Sequence, residues 1–353
     1  MRVTSASVDF PAALALVRAG GALDEAASIG VFETIMTGEV PDDDLALFLT
    51  AQAERGPTVP EIVGAVRAMR AQMRAVAAPP DAIDLCGTGG DGHGTLNIST
   101  AASFVAAGAG AVVAKHGNRS ASSRSGAADI LEALGVRIDL EPARAEAVLA
   151  ETGIVFLFAQ THHPAMRHVG RVRARLKRRT IFNLLGPLAS PARVKRQLVG
   201  IYSKDWLLPY TQALQALGST RALVVHGSDG LDELTTTDAT FYASLDRGGI
   251  TQGQITPQDA GLPLATLEQL KGGDATHNAA ALVRLLGGEP GPYRDIVLLN
   301  AGAALMVADR VKDVKSGAAL AAQSLDSGAA KAKLEALIEA SNDPTSSGEA
   351  AGH

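Results

Sequence analysis

A glycine-rich segment at residues 87–94, Gly-Thr-Gly-Gly-Asp-Gly-His-Gly, has the composition of an anion-binding loop. Glycines let backbone N–H groups approach an anion without interference from a Cβ atom. The chain continues through Asn97-Ile98-Ser99-Thr100, where hydroxyl side chains open a predicted helix whose N-terminus adds unpaired donors. The segment lacks the Gly-x4-Gly-Lys-Ser/Thr spacing of a P-loop and the downstream acid of a dinucleotide-binding motif. We therefore expect a phosphate-binding loop of another kind.

A second polar segment, residues 115–123, follows a predicted strand at 112–114 and precedes a predicted helix at 126–134. It reads Lys-His-Gly-Asn-Arg-Ser-Ala-Ser-Ser, so two cations and three serines follow the carboxyl end of a strand, where open α/β sheets usually bind ligands. The functional interpretation is a second oxyanion cradle, and the alternative is a solvated loop.

Two adjacent carboxylates, Asp232 and Glu233, follow a predicted strand at 223–226. Mg²⁺ binds through one or two carboxylates and keeps waters and phosphate oxygens as its other ligands. An isolated acidic pair is more typical of a solvated surface. Because this pair follows a strand as the two anion-binding segments do, we expect a magnesium site at a solvent-facing cleft.

Two histidines, His116 and His163, are candidates for a general base. A single histidine is more often a hydrogen-bonded structural group, and the sequence leaves both interpretations open. The stretch 167–179 is rich in arginine, and we expect about half of it to be a solvated face.

The elements that must position these residues fall into two classes. Residues 24–37, 42–55 and 58–73 have apolar side chains at helical spacing. Beyond residue 80, helical stretches alternate with strand-like apolar runs at residues 83–86, 112–114, 154–158, 198–202, 223–226 and 296–299. This pattern predicts an α/β protein, with a small N-terminal helical domain and a larger domain whose mostly parallel central sheet is flanked by helices.

Boundaries follow from the same pattern. We predict a helical domain at residues 1–80, to which about 162–190 return, and an α/β domain at residues 81–161 and 191–353.

Composition excludes several classes of function. The 353 residues carry a net charge of -5 and are 4% aromatic, which disfavours general attraction to nucleic acid or to an anionic membrane. No run approaches the roughly 20 apolar residues of a membrane span. One cysteine, Cys86, permits no internal disulfide, so we expect a reducing compartment, the cytoplasm.

Four motifs together resemble one family. GTGGDGHGTLNIST, KHGNRSASS, HHPAMRHVGRVR with RTIFNLLGPL, and VHGSDGLDELT are similar to the motifs of the anthranilate phosphoribosyltransferases, and the similarity covers nearly all of the chain. The departures are Arg124 where Lys is common, Arg171 where Pro is common, and Lys177 where Gly is common.

The resemblance implies an architecture of the nucleoside phosphorylase and phosphoribosyltransferase kind, and a homodimer formed through the helical domain. It also implies transfer of phosphoribosyl from 5-phosphoribosyl 1-diphosphate to the amine of anthranilate, with release of pyrophosphate and with Mg²⁺ as cofactor. Both substrates are small molecules, and neither nucleic acid nor membrane is an expected partner.

The resemblance also implies roles for individual residues. It places magnesium at Ser99, Asp232 and Glu233, and anthranilate at Gly87, Asn118 and Arg173. The catalytic candidates are His116 and Asn118. The sugar diphosphate is implied at the loop positions Gly87, Gly90, Asp91, Thr95, Asn97, Ile98, Ser99, Thr100, Lys115, His116, Gly117, Asn118, Arg119, Ser120, Ala121, Ser122, Ser123 and Ala127.

Three alternatives remain at this point. Pyrimidine nucleoside phosphorylases share the architecture and a glycine-rich anion loop, but the Asn97–Thr100 motif and the acidic pair favour a metal-bound diphosphate donor. Non-catalytic nucleic-acid-binding relatives of the same fold are expected to have basic grooves and to lack the acidic pair. No feature of the sequence favours a non-catalytic dimeric module.

Overall fold

The N-terminal part of the chain is helical. The computed structural model describes residues 9–120 and 124–344. Four helices come first: α1 (Phe10–Arg18), α2 (Glu25–Thr37), α3 (Asp42–Arg55) and α4 (Val59–Gln72). Side chains cap two of these helices, because Asp24 accepts a hydrogen bond from the Ala27 N–H (2.8 Å) and Thr58 with Glu61 forms a capping box.

A seven-stranded sheet forms the centre of the remaining structure. The strands are β1 (Ile83–Gly87), β2 (Val113–Gly117), β3 (Ile154–Phe158), β4 (Arg196–Gly200), β5 (Arg221–Gly227), β6 (Thr240–Asp246) and β7 (Gly249–Ile255). Their order in the sheet is β3-β2-β1-β4-β5-β6-β7. The first five strands of this order are mutually parallel, β6 is antiparallel to β5, and β7 is antiparallel to β6.

The remaining helices connect and cover these strands. They are α5 (Ile98–Gly108), α6 (Ala127–Ala133), α7 (Pro142–Thr152), α8 (Ala159–His162), α9 (Arg167–Leu176), α10 (Phe182–Leu188), α11 (Leu207–Ala216), α12 (Ala275–Leu286), α13 (Pro292–Val307), α14 (Val314–Asp326) and α15 (Ala329–Asn342). None of the helices in the described ranges is long and apolar enough to cross a membrane.

Each face of the sheet contributes to a different core, because side chains alternate along a strand. On β5, Leu223 and Val225 join a core that includes residues of α5, α13 and α15. Ala222 and Val224 face the other way and join a core that includes α1 to α4, α9, α10 and α11. The helices at 167–188 therefore share a core with the N-terminal helices. The fold class is confirmed, whereas the domain boundaries stay a prediction.

The strand predicted at residues 296–299 is wrong, because these residues lie within α13. Helix α13 is buried on almost all sides, and a short apolar run does not distinguish a buried helix from a buried strand. The prediction also omitted β6 and β7. Thr251, Gln252 and Gln254 of β7 are polar and lie at the edge of the sheet, so the run lacks the apolar content of the central strands.

Candidate active site

Most of the predicted site residues lie at or just beyond the carboxyl ends of β1, β2 and β5. Parallel strands bring these ends to one edge of the sheet, which is where open α/β sheets bind ligands. The glycine-rich segment leaves β1, residues 115–120 include the end of β2 and its continuation, and the acidic pair follows β5. The predicted residues Ala121, Ser122 and Ser123 lie outside the described residues.

Asp232 packs directly on the ends of two strands. Gly87 and Gly200 are register partners on β1 and β4, and a Cβ atom at either position would overlap Asp232. The Asp232 Oδ2 atom accepts a hydrogen bond from the Gly89 N–H (2.7 Å). Only 9% of Asp232 is exposed, so the expected solvent-facing position is wrong for this residue. The residues adjacent to Asp232 in the sequence do not reveal its burial, because Gly87 and Gly200, which make room for it, lie far away in the chain.

Glu233 is bonded to the start of α5. Its Oε1 atom accepts a hydrogen bond from the Ser99 N–H (3.1 Å), as expected for a carboxylate at a helix N-terminus. Lys115 is buried beside it and donates from Nζ to the Leu85 carbonyl (2.5 Å) and to Ser99 Oγ (3.3 Å). Burial raises the pKa of Glu233 to about 7, against the opposing charge of Lys115. Glu233 is partly buried.

The carboxylates of Asp91, Asp232 and Glu233 form a site with excess negative charge. Burial is the largest cause that raises the pKa of Asp232 well above its ordinary value, and the charges of Asp91 and Glu233 raise it further. Within residues 9–120 and 124–344, no three His, Cys, Asp or Glu side chains are arranged to hold a metal ion alone. Two carboxylates and a serine hydroxyl fit Mg²⁺ that takes its other ligands from water and phosphate.

The glycine-rich loop is fastened to a segment that the sequence analysis did not single out. The Gly272 N–H donates to the Gly94 carbonyl and the Leu96 N–H to the Leu270 carbonyl, both at 2.9 Å. Thr95 pairs with Lys271 in an antiparallel bridge. The consecutive glycines at 272 and 273 were the available sequence signal.

The four residues at the start of α5 point in different directions. The side chains of Ile98 and Thr100 are buried, so these residues face the core. Asn97 is partly exposed; its Oδ1 accepts from Asn278 Nδ2 (2.8 Å) and its Nδ2 donates to the Ser125 carbonyl (3.4 Å). Of the side chains in this motif, those of Asn97 and Ser99 are therefore the ones available to a ligand.

The segment after β2 presents a different set of groups. The Asn118 side chain is exposed, and its Oδ1 accepts from the Arg119 N–H (2.8 Å). The Arg119 guanidinium forms ion pairs with Asp129 and Glu132 of α6. Its charge is thus already compensated. Ala127 begins α6, which packs behind this segment.

The two candidate bases are buried and close together. The ring centroids of His116 and His163 are 5.3 Å apart, and each residue is 6% exposed. His116 Nδ1 lies 3.1 Å from the Gly186 carbonyl, so the neutral ring donates from Nδ1 and leaves Nε2 as an acceptor. Burial, followed by the charge of His163, lowers the pKa of His116 well below its ordinary value. A neutral His116 is therefore favoured near pH 7.

Arg173 of α9 differs from its arginine neighbours. Its guanidinium carbon lies 5.6 Å from the centre of the Phe182 ring, and burial lowers its pKa from the ordinary value. No carboxylate in the described ranges pairs with it. Other arginines of this stretch have acidic partners on α3: Arg171 with Asp42 (3.6 Å), Arg175 with Asp43 (2.9 Å) and Arg178 with Glu54 (3.0 Å). Arg173 is thus suited to receive an anion from outside the chain.

Arg179 joins this stretch to the glycine-rich loop. Its guanidinium donates to the Gly90 carbonyl and lies over the Tyr202 ring, 4.2 Å from the ring centre. The structure thus brings the two anion-binding segments and the acidic pair together, with the arginine stretch linked to them at Gly90. The ligand roles of these residues stay predictions.

Comparison with known proteins gives the family. The model of the glycosyl transferase family a/b domain matches residues 79–331, and that of the family's helical bundle domain matches residues 11–73. The anthranilate phosphoribosyltransferase of Rhodopseudomonas palustris (strain BisA53) is 56% identical over 335 residues, which is 95% of this chain and 99% of that protein. The chain belongs to the anthranilate phosphoribosyltransferase family.

Solved structures of anthranilate phosphoribosyltransferases agree. The crystal structure of the Thermus thermophilus enzyme has a TM-score of 0.89 at 44% identity, covering 94% of this chain and 99% of that one. The Saccharomyces cerevisiae enzyme in complex with PRPP and Mg has a TM-score of 0.87 at 26% identity, covering 96% and 99% of the two chains.

This anthranilate phosphoribosyltransferase family member also buries a carboxylate that the sequence motifs do not mark. Asp84 of β1 is fully buried and accepts a hydrogen bond from the His116 N–H (3.0 Å). Burial raises its pKa to about 6, although the charge of Lys115 acts in the opposite direction. Asp84 is thus bonded to the backbone of His116, and the charge of Lys115 acts on its carboxyl group.

The raised pKa of Asp84 predicts a specific pH dependence of stability. The folded protein binds the Asp84 proton more tightly than the unfolded chain, so stability is lost as pH rises from about 4 through 6. Asp84→Asn does not titrate. Its free energy of unfolding relative to wild type should rise by about 2 kcal/mol between pH 4 and 7. Urea unfolding across this range tests this, with exposed Asp205→Asn as the control. Parallel pH profiles of wild type and Asp84→Asn would contradict it.

Proposed function

We propose that the chain transfers the 5-phosphoribosyl group of 5-phosphoribosyl 1-diphosphate to the amine of anthranilate, forming N-(5-phosphoribosyl)anthranilate and pyrophosphate in tryptophan biosynthesis. The observation that carries the proposal is the attachment of the acidic pair to both donor elements, through Gly89 and Ser99. Arg173, which has no carboxylate partner within the described ranges, is the cation that we assign to the acceptor. The 56% identity with an anthranilate phosphoribosyltransferase supports the choice of substrates.

The donor occupies the edge of the sheet. Backbone N–H groups of the glycine-rich loop donate to its phosphate oxygens, together with the Asn97 amide. In the segment after β2, the N–H groups of His116, Arg119 and Ser120 already donate to Asp84, Asn118 and Asp129, so this segment contacts the donor through its side chains. Asp232, Glu233 and Ser99 would hold Mg²⁺, and the chemistry that the ion would supply is neutralisation of the charge on the departing pyrophosphate. The Saccharomyces cerevisiae relative in complex with PRPP and Mg supports this cofactor.

The acceptor lies between Gly87, Asn118 and Arg173. The guanidinium of Arg173 donates a fork of hydrogen bonds to the anthranilate carboxylate. The Asn118 Oδ1 is already bonded to the Arg119 N–H, so its Nδ2 is the group turned to the acceptor. These contacts hold the aromatic amine over C1 of the ribose.

The transfer step depends more on the positioning of the amine against C1 than on acid catalysis. The C1–O bond breaks as pyrophosphate leaves with the electron pair, C1 gains oxocarbenium character, and the amine nitrogen forms the new bond to C1. The leaving group is already anionic, so no acid must protonate it. The amine is neutral at the start and loses its proton late. The acceptor that we propose is the Nε2 lone pair of His116, which is buried and has no hydrogen-bond partner among the described residues.

Further proposals concern assembly and location. We propose a homodimer through the helical domain at residues 1–80 with 162–190. Two large apolar side chains, Leu16 of α1 and Leu47 of α3, are 44% and 46% exposed in that part of the chain. Sedimentation equilibrium tests this, and a monomer at micromolar concentration would refute it. The free thiol of Cys86 supports a cytoplasmic location.

A fluorescence assay tests the proposed activity. Anthranilate is fluorescent, and its signal should fall only when 5-phosphoribosyl 1-diphosphate and Mg²⁺ are both present. A nucleoside phosphorylase or a nucleic-acid-binding relative would leave the signal unchanged. Persistence of anthranilate with all three components present would reject the proposal.

Arg173→Ala should weaken the use of anthranilate. Loss of hydrogen bonds to a charged group costs about 1.5–3 kcal/mol, so kcat/KM for anthranilate should fall about 10-fold to 150-fold. KM for the diphosphate should stay nearly constant. Arg175→Ala is the matched control, since Arg175 pairs with Asp43 on the same helix. An unchanged anthranilate KM in Arg173→Ala would reject the assignment.

The double change Asp232→Asn with Glu233→Gln should separate activity from stability. It removes two negative charges but keeps oxygen acceptors for Gly89 and Ser99, so we expect kcat to fall about 10²-fold or more, with partial recovery at high Mg²⁺. Because the two charges repel each other in a buried site, the melting temperature should hold or rise. Asp238→Asn, exposed in the same loop, is the control. Near-normal kcat at low Mg²⁺ would show that the pair has no metal role.

A further inference from the structure

Asn278 connects α12 to the glycine-rich loop through its side chain. It lies in the first turn of α12 and is 2% exposed. Its Oδ1 accepts a hydrogen bond from the Gly273 N–H (2.7 Å), and its Nδ2 donates to Asn97 Oδ1 (2.8 Å). Asn97 is in turn the residue from which α5 begins.

A backbone group fixes the direction of these bonds. A backbone N–H only donates, so the atom of Asn278 that faces Gly273 must be its oxygen. The opposite atom of the same amide is then Nδ2, which must meet an oxygen of Asn97. The Asn97 Nδ2 is therefore turned away from Asn278. It points to the Ser125 carbonyl (3.4 Å), near the segment that follows β2.

The backbone around Asn97 leaves its side chain little freedom to move elsewhere. The Asn97 carbonyl accepts hydrogen bonds from Tyr293 Oη (3.3 Å) and from the Ala101 N–H (3.1 Å). On the opposite side, a Cβ atom at Gly272 would lie 2.7 Å from the Thr95 carbonyl oxygen and 2.9 Å from Asn278 Oδ1. The two segments are thus in close contact, and rotation of the Asn97 amide about its own axis is the remaining freedom.

We propose that Asn278 is a positioning residue for the sugar diphosphate: it holds the Asn97 amide with its N–H groups, rather than its oxygen, toward the anion. This inference rests on the proposed function, which places the diphosphate at Asn97. An amide oxygen in the same place would repel phosphate oxygens, whereas an N–H donates to them. The polarity of a ligand group is thus set from a residue about 180 positions away in the chain.

Asn278→Asp is the variant that inverts this arrangement. The carboxylate keeps an acceptor for the Gly273 N–H but offers a second acceptor to Asn97, so Asn97 must turn its Nδ2 toward residue 278. Asn278→Ala removes both bonds and leaves Asn97 free to rotate. If Asn278 sets the orientation of the Asn97 amide, Asn278→Asp should weaken diphosphate binding more than Asn278→Ala does. A residue that only supports Gly273 predicts the reverse order.

A double-mutant cycle with Asn97→Ala shows whether the effect passes through Asn97. The dissociation constant of 5-phosphoribosyl 1-diphosphate with Mg²⁺ is measured by calorimetry, and KM for both substrates by anthranilate fluorescence. Asn278→Asp should weaken diphosphate binding at least tenfold and raise its KM in parallel, with the anthranilate KM within twofold of wild type. In the Asn97→Ala background, the same change should alter binding less than twofold.

Controls separate charge and folding from polarity. Thr276→Asp adds the same charge to the same helical turn at an exposed position, and it should bind the diphosphate as wild type does. If Asn278→Asp does not fold, Asn278→Ala takes its place in the cycle. It should weaken diphosphate binding at least threefold, and this weakening should be absent in the Asn97→Ala background.

Equal effects of Asn278→Asp in both backgrounds would overturn the inference, as would a milder defect than that of Asn278→Ala. Wild type that neither binds nor consumes the diphosphate would instead reject the proposed function.

Discussion

The backbone of Asp232 lies against the ends of β1 and β4, where Gly87 and Gly200 are paired in register. A side chain at either glycine would overlap Asp232, so the approach depends on the absence of two Cβ atoms. From this position the Asp232 carboxylate reaches the Gly89 N–H, and the next residue reaches the Ser99 N–H. One close contact between loop and sheet therefore orders the glycine-rich loop, the start of α5 and the acidic pair together.

That contact has an electrostatic consequence. It places Asp232 and Glu233 in a poorly hydrated site, where burial raises the pKa of both carboxyls and the charge of Asp91 raises it further. Lys115 offsets part of this charge, but its Nζ is committed to the Leu85 carbonyl and Ser99. The protein alone is thus left with uncompensated negative charge, which a divalent cation with phosphate ligands neutralises. Groups with strongly shifted pKa values are typical of functional sites for this reason.

Local signals made much of the site predictable. Glycines, hydroxyls and cations after strands identified the two anion-binding segments, and parallel strands necessarily bring such segments to one edge. The burial of Asp232 was not predictable from the sequence, because it depends on Gly200, which is 32 positions away and belongs to no motif. The strand prediction at residues 296–299 was wrong for a related reason. The run is apolar because α13 is enclosed by other elements, and an enclosed helix has no polar face that would reveal the helical period in its sequence. The contact of Asn278 with Asn97 was not predictable either, because the two residues lie on segments that are distant in the sequence.

The two proposed substrate subsites rest on different cores. Helix α9, which carries Arg173, buries Val169 and Val172 in the core of the N-terminal helices and forms ion pairs with α3. Exposed ion pairs contribute only about 0–1 kcal/mol each, so the burial of the two valines is the main interaction that holds α9 against the N-terminal helices. The glycine-rich loop instead follows β1 and leads into α5, whose apolar residues lie in the other core. Any change in the angle between the two predicted domains would therefore alter the exposed contact of Arg179 with Gly90, while Arg173 would move with the helices.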